Sequence, residues 1–202
     1  MKNDNLQFWS RVAGIYTLIQ EGSNRKLYRK LILCCRQDIK PQEKVLELAC
    51  GSGQLSEPLS RHAYDYLATD FCPEMVTQTA KRCPGLQCKV MDATALDCQD
   101  NSLDTVLIAN ALHIMPDPDK ALQEIRRVLK KGGKLIAPTF VYEGKVNHFR
   151  MKIMALAGFK TWSCWTSDQL KTIMEKHGFT VTRCEVIPAD PLPECYLVAV
   201  KA

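Results

Sequence analysis

Two glycines, two aspartates, an asparagine and a histidine each stand just past an apolar run, where they could share one ligand. Val45-Leu46-Glu47-Leu48-Ala49 leads into Cys50-Gly51-Ser52-Gly53-Gln54, an apolar strand followed by a small-residue turn and a helix. Such a turn lets backbone approach a ligand closely and leaves the amides of the helix start free. Thr69-Asp70 ends a second run, where an acid can accept hydrogen bonds from ribose hydroxyls. Met91-Asp92-Ala93 ends a third and offers a carboxylate and an amide to an adenine edge. Asn110-Ala111-Leu112-His113 ends a fourth, beside the expected reaction centre. Each has a plainer reading as well. Glu47 can cap its turn, Asp70 can be the turn acid before Pro73, Met75 can be core, and Asp92 can be a structural turn residue.

These residues need elements that bring strand ends together. Residues 3–20 and 23–37 read as helices, with Phe8, Val12, Ile15, Leu18 and Ile19 on one face of the first. Strands are expected at 45–49, 66–69, 86–90, 104–110 and 134–139, with helices at 54–62, 73–82 and 119–130 between them. Pro73 suits a first helical turn. Ala121, Leu122, Ile125, Val128 and Leu129 form an apolar stripe that Gly132-Gly133 ends. Alternation of this kind implies a parallel sheet with helices on both faces. After a helix at 167–177, strands at 179–187 and 194–200 flank a turn holding Pro188, Pro191 and Pro193, which predicts an antiparallel hairpin edge. The expected fold is a doubly wound α/β sheet of seven strands, the last antiparallel, with extra N-terminal helices. It would form one domain: helices over 1–40, a ligand-binding core over 43–140 and an acceptor-side insertion over 141–166.

A chain of 202 residues suits a single domain with its own core. Its 46% hydrophobic and 24% charged residues argue against disorder. The net charge of +5 is mild. Its basic groups, Arg25-Lys26 to Arg29-Lys30 and Arg126-Arg127 with Lys130-Lys131, sit at helical spacing and read as solvated faces, so no nucleic-acid partner is expected. No apolar run nears the roughly 20 residues of a membrane span, and no signal core follows Met1. The ten cysteines are scattered without a Cys-x-x-Cys or a zinc spacing. The expectation is a cytoplasmic protein with free thiols and no metal.

Five segments in order resemble class I, Rossmann-like S-adenosylmethionine-dependent methyltransferases, over about residues 43–140. Glu47-Leu48-Ala49-Cys50-Gly51-Ser52-Gly53 is similar to their Glu/Asp-x-Gly-x-Gly-x-Gly signature, with Ala49 at the first glycine. Thr69-Asp70-Phe71-Cys72-Pro73-Glu74-Met75 resembles their Asp-x-Ser-Pro-Glu-Met segment, and Asp92-Ala93-Thr94-Ala95-Leu96 their Asp-Ala-x-x-Leu loop. Asp100-Asn101-Ser102-Leu103-Asp104 and Leu129-Lys130-Lys131-Gly132-Gly133 match the entries to their fourth and fifth strands. The resemblance implies S-adenosyl-L-methionine as cofactor. It implies Gly51, Gly53 and Ala49 against the methionine part, with Glu47 holding the loop or the amino group. It also implies Asp70 on the ribose, Phe71 and Met75 along the adenine, Asp92 and the Ala93 amide at its edge, and Asn110 on the methionyl portion. The segment from Trp9 to Tyr16 is similar to the lid of quinone-pathway methyltransferases, with Thr17 where they carry aspartate.

Methyl transfer from a sulfonium releases a neutral thioether, so the leaving group needs no acid. Orientation alone can supply about 7–11 kcal/mol. A base matters only where the acceptor must lose a proton, as a hydroxyl does. His113 is the candidate base, with a packing role as the alternative; it would titrate near the unperturbed value of about 6.5. Trp9, Arg11, His148 and Arg150 are candidate acceptor contacts, the arginines for a carboxylate. The aromatic and methionine content of 141–166 suits a cover over an apolar or mixed substrate. His177 reads as a helix-end residue, and His62 suggests no role. The expected acceptor is a small molecule or a peptide, with oxygen favoured. The alternatives are a nicotinamide-dependent oxidoreductase, although Ser56 replaces the third glycine of that pattern, and a non-catalytic cofactor-binding partner subunit.

Overall fold

The computed structural model describes residues 9–10, 24–144, 146–147, 149, 151–152 and 161–202. Of the first expected helix only Trp9 and Ser10 are among them, and both are helical; the second is α1 (Arg25–Asp38). The chain then alternates through β1 (Lys44–Leu48), α2 (Ser56–Ser60), β2 (Asp65–Asp70), α3 (Pro73–Arg82), β3 (Gln87–Val90) and β4 (Leu103–Ile108). A single 3-10 turn (Leu112–Ile114) precedes α4 (Pro118–Val128), β5 (Leu129–Ile136) and β6 (Thr139–Phe140). The described chain closes with α5 (Ser167–Lys176), β7 (Phe179–Ile187) and β8 (Glu194–Lys201).

The sheet runs β3-β2-β1-β4-β5, all parallel, and then reaches β8, which lies antiparallel to β5 and to β7. Strand order reverses between β1 and β4, so their carboxyl ends frame a crevice where ligands of open α/β sheets bind. Residues that alternate along a strand face opposite sides. Leu46, Leu48, Val106 and Ile108 join one core with Ala121, Leu122, Ile125 and Val128 of α4 and with Leu170 and Met174 of α5. Val45, Leu107 and Ile136 join the other with Leu27, Leu31, Cys34 and Cys35 of α1 and Leu59 of α2. Two covered faces make this a doubly wound α/β fold.

The helix ends follow from local chemistry. Asp117 accepts from the Lys120 amide at 3.0 Å ahead of Pro118, which starts α4. Thr166 and Gln169 form a reciprocal capping box at α5. His177 does end that helix, with Nδ1 on the Ile173 carbonyl at 2.9 Å and Nε2 3.0 Å from Asp119. His62 also has a partner, the Ile39 carbonyl at 2.8 Å.

Two details depart from the sequence expectation, the strand count and the role of Gly132-Gly133, while the antiparallel β7–β8 pair closes the sheet as expected. Eight strands are described in place of seven, because the fifth divides at Ala137-Pro138, where proline offers no amide. Both pieces, β5 and β6, pair with β8. β8 is an inner strand and the sheet edge is β7; its run Cys195-Tyr196-Leu197-Val198-Ala199 is buried throughout, as a strand with neighbours on both sides requires. Gly132-Gly133 does not separate α4 from β5. Leu129 already pairs with Leu103, and the glycines lie in a register shift before Lys134 pairs with Thr105.

Candidate functional site

The loop leaving β1 is held from three directions. Ala49, Gly51 and Gly53 all have positive φ, of 55°, 57° and 81°. An alanine there carries a steric cost that glycine does not. The Gly51 amide donates to Asp70 Oδ2 at 2.9 Å, and the Cys50 amide to the Thr69 carbonyl at 2.9 Å. From α3, the Thr79 hydroxyl donates to the Gly51 carbonyl at 2.8 Å and Arg82 to the Ser52 carbonyl at 3.2 Å. A Cβ on Gly53 would sit 3.3 Å from atoms of Thr79 and Arg82, so α3 packs directly on the bare backbone.

Glu47 is buried beneath this loop. Its Oε2 accepts from the Ser56 hydroxyl at 2.5 Å and the Tyr66 hydroxyl at 3.0 Å. Burial raises its carboxyl to about 7 against the opposing pull of those two donors. Glu47 therefore ties β1 to the start of α2 and to β2. Of its expected roles, this geometry matches holding the loop.

Asp70 is the hinge between the loop and the next segment. Besides Gly51 it accepts from the Cys72 amide, on Oδ1 at 2.9 Å. Burial raises it to about 6, opposed by the amides of Cys72, Gly51 and Phe71. A carboxylate has about four acceptor sites, so these three amides leave one for a ribose hydroxyl. Phe71 is 37% exposed directly after it, while Met75 is buried with Cys72 and packs against Trp9. Trp9 thus sits at the β2 end of the site. Asp92 Oδ1 accepts from the amide and the hydroxyl of Thr94, at 2.9 and 2.7 Å, a local turn that holds Ala93.

Past β4, Asn110 adopts a positive φ of 54° and donates its amide to the Pro138 carbonyl at 2.8 Å. Its Nδ2 lies 3.3 and 3.4 Å from the two oxygens of Glu194, while its Oδ1 is buried with no hydrogen-bond partner. His113 is 1% exposed, stands edge-on to Phe140 at 5.8 Å, and has no hydrogen-bond partner at Nδ1. Its burial pushes the imidazolium down to about 4, well below the value of about 6.5 expected from sequence. The carbonyl of His113 receives the amides of Trp162 and Ser163 at 2.9 and 3.1 Å, which brings the returning segment onto the turn after β4.

Arg11, Tyr16, His148 and Arg150 lie outside the described residues. Among those described, Glu47, Ala49, Gly51, Gly53, Asp70, Phe71, Met75, Asp92, Ala93, Asn110 and His113 all fall at or beside the carboxyl edge of β1 to β4. Four contributors were not singled out from sequence: Thr79, Arg82, Tyr66 and Glu194. The first three are polar residues in otherwise ordinary elements and carry no pattern. Glu194 did carry one, a lone acid opening an apolar strand just after Pro193. A cavity of about 760 Å³ lies four strands away from the glycine loop, between residues 144–147 and the β7–β8 turn, lined by Val146, Val186, Pro188 and Pro193 among others. Among the described residues no three metal-ligating side chains cluster, and no helix is long and apolar enough to cross a membrane.

Residues 46–137 match a family model described as a methyltransferase domain. A demethylmenaquinone methyltransferase of Renibacterium salmoninarum is 41% identical over 123 residues, 61% of this chain and 51% of that one. A phosphatidylethanolamine N-methyltransferase of Cereibacter sphaeroides is 31% identical over 138 residues, covering 62% and 64%. The chain spans about half the length of the menaquinone-type relative. In fold, the domain and its flanks are similar to a Thermotoga maritima structure described as a SAM-dependent methyltransferase, possible histamine N-methyltransferase. The TM-score is 0.76 at 21% identity, over 97% of this chain and 99% of that one.

Proposed function

We propose that the chain is an S-adenosylmethionine-dependent methyltransferase acting on a small molecule. The observation that carries this reading is Asp70, a buried acid fixed by the Gly51 and Cys72 amides where β2 ends beside the glycine loop. The residues present fit the cofactor: a bare backbone at Gly51 for its methionine part, with Gly53 closing the turn under α3, Asp70 for its ribose, and the buried, unpartnered Oδ1 of Asn110 for a donor. When bound, the cofactor supplies a methyl group on a positively charged sulfur. The protein's own residues bind and orient. Asp70 would hold the ribose, Phe71 would flank the adenine with Met75 behind it, and Asp92 with the Ala93 amide would read its edge.

The acceptor would enter from the side of residues 141–166 and the N-terminal helix, where Trp9, Arg11, His148 and Arg150 are the proposed acceptor contacts and Tyr16 a proposed cofactor contact. An oxygen acceptor is favoured, with His113 as the nearby imidazole; a peptide is the broader alternative. The relatives named for a quinone and a lipid support a small, largely apolar substrate. Ser56 is committed to Glu47 where a dinucleotide pattern would want glycine, which supports this reading over a nicotinamide enzyme. Titration calorimetry tests the assignment. S-adenosylmethionine and S-adenosylhomocysteine should bind and NAD should not; tight NAD binding with no S-adenosylmethionine binding would overturn it.

A further inference from the structure

Glu194 opens β8 with its side chain fully buried, and Asn110 is its recorded hydrogen-bond partner. An amide nitrogen is a neutral donor, so nothing recorded there offsets a carboxylate charge. Isolating an ionised carboxylate from water is costly unless a cation accompanies it. Beside it, Asn110 Oδ1 is an acceptor without a donor. Both side chains therefore lack the same thing, a positive charge or a donor, and both lie at the carboxyl edge next to the crevice between β1 and β4.

Among the described residues, the flanking elements do not supply it. His113, in the turn after β4, is held neutral by burial. Tyr142 after β6 is bonded to Thr161, and Glu143 to Ser167. On β7, Glu185 is paired with Arg183 and Lys30, and Cys184 lies against Cys195 of β8. Asp190 in the β7–β8 turn accepts from Asn147.

We propose that Glu194, acting with Asn110, makes the site distinguish the cationic sulfonium cofactor from its neutral thioether product. This rests on the methyltransferase reading above. With the sulfonium bound, Glu194 gives up its proton to solvent and the carboxylate faces a positive charge. Once the methyl group has left, that charge is gone and the carboxylate takes a proton back. Glu194 then no longer favours the occupant, which eases product release. Burial supports the exchange by raising this carboxyl to about 8, where a nearby charge can tip it.

The test needs no acceptor. S-adenosylmethionine and S-adenosylhomocysteine are titrated separately into the full chain from pH 6 to 9, in buffers of different ionisation enthalpy. Both ligands carry the same α-amino group, so its titration cancels in the ratio of their dissociation constants. The sulfonium form should release close to one proton more than the thioether near pH 7. Its relative affinity should rise with pH by up to about tenfold per unit while Glu194 titrates. Glu194→Gln, which keeps a partner for Asn110, should flatten the ratio and weaken S-adenosylmethionine alone, by about a hundredfold at pH 8.5, the coupling that release of nearly one proton at pH 7 requires. A pH-independent ratio in the parent protein would overturn the proposal, whether or not the variant folds. So would equal weakening of both ligands by Glu194→Gln, the result of a merely structural role or of contact with the shared amino group. Failure of both ligands to bind the parent protein would instead refute the methyltransferase reading, and this proposal with it.

Discussion

The amide of Gly51 points at the carboxylate of Asp70 across 2.9 Å, so the acid that ends β2 also closes the loop that leaves β1. On the proposed reading, cofactor recognition and loop integrity are thereby vested in one side chain. Asp70→Ala should lose both. Cofactor binding should weaken by about 2–4 kcal/mol, the range for losing charge-assisted hydrogen bonds. Two buried amides also lose their acceptor, so the ligand-free protein should be less stable by about 1–3 kcal/mol. Calorimetric titration and urea denaturation measure the two losses separately. Unchanged affinity in a folded variant would remove Asp70 from the ribose site.

Ala49 stands where the methyltransferase signature has its first glycine, and its φ of 55° shows what the glycine is for. The left-handed conformation costs a side-chain-bearing residue about 1–2 kcal/mol, and glycine's greater unfolded freedom returns about half of that. Ala49→Gly should therefore raise thermal stability slightly and leave cofactor binding intact. A clear fall in melting temperature would show that the alanine methyl contributes packing worth more than the strain.

Glu47 and Glu194 are both buried acids raised by that burial, to about 7 and about 8. A folded-state value above the unfolded one means the folded form holds its proton more tightly. That contribution is complete below about pH 4.5 and is lost as pH rises through 7 to 8. The ligand-free protein should thus become easier to denature between pH 6 and pH 9. Glu47→Gln should reduce that slope, by at most about 1.4 kcal/mol per pH unit for one group. Guanidinium melts at the two pH values decide it, and an identical slope in the variant counts against a protonated Glu47.

His113 has the opposite sign. Burial lowers its imidazolium to about 4, so the folded protein keeps it neutral where an unfolded chain would protonate it. Its share of stability is present above about pH 6.5 and is lost as pH falls from there toward 4. In a ring-carbon NMR titration its signal should stay still between pH 5.5 and 8. His113→Ala should bind cofactor normally; with a hydroxyl acceptor it should also lose about 10²–10⁴-fold in turnover. A carboxylate acceptor should spare most of the rate. Loss of cofactor binding would place the imidazole under the cofactor loop instead.

Apolar runs of β1, β4 and β8 and the stripe on α4 were readable because burial on the sheet faces demands them. The glycine loop, Asp70 and Asp92 were readable because their place after a strand is part of the local sequence. What local sequence did not convey is what tertiary contact decides. Thr79 and Arg82 meet the loop only because α3 packs over it, and Glu194 meets Asn110 from 84 positions away. The same holds for His113: its place in the turn was visible, but its near-total burial depends on Phe140 and the returning segment at Trp162.

The position of β8 sets an order of events. Synthesis runs from the amino end, and β8 is made after the other described strands, yet it lies inside the sheet and brings Glu194 to Asn110. Until it inserts between β5 and β7, both neighbours expose open edges, and the pair of Glu194 with Asn110 does not exist. A growing chain can form its glycine loop and Asp70 early, but the acid beside Asn110 arrives only with the final strand. On the proposed reading, a nascent domain would hold a nucleoside before it senses the methyl donor's charge.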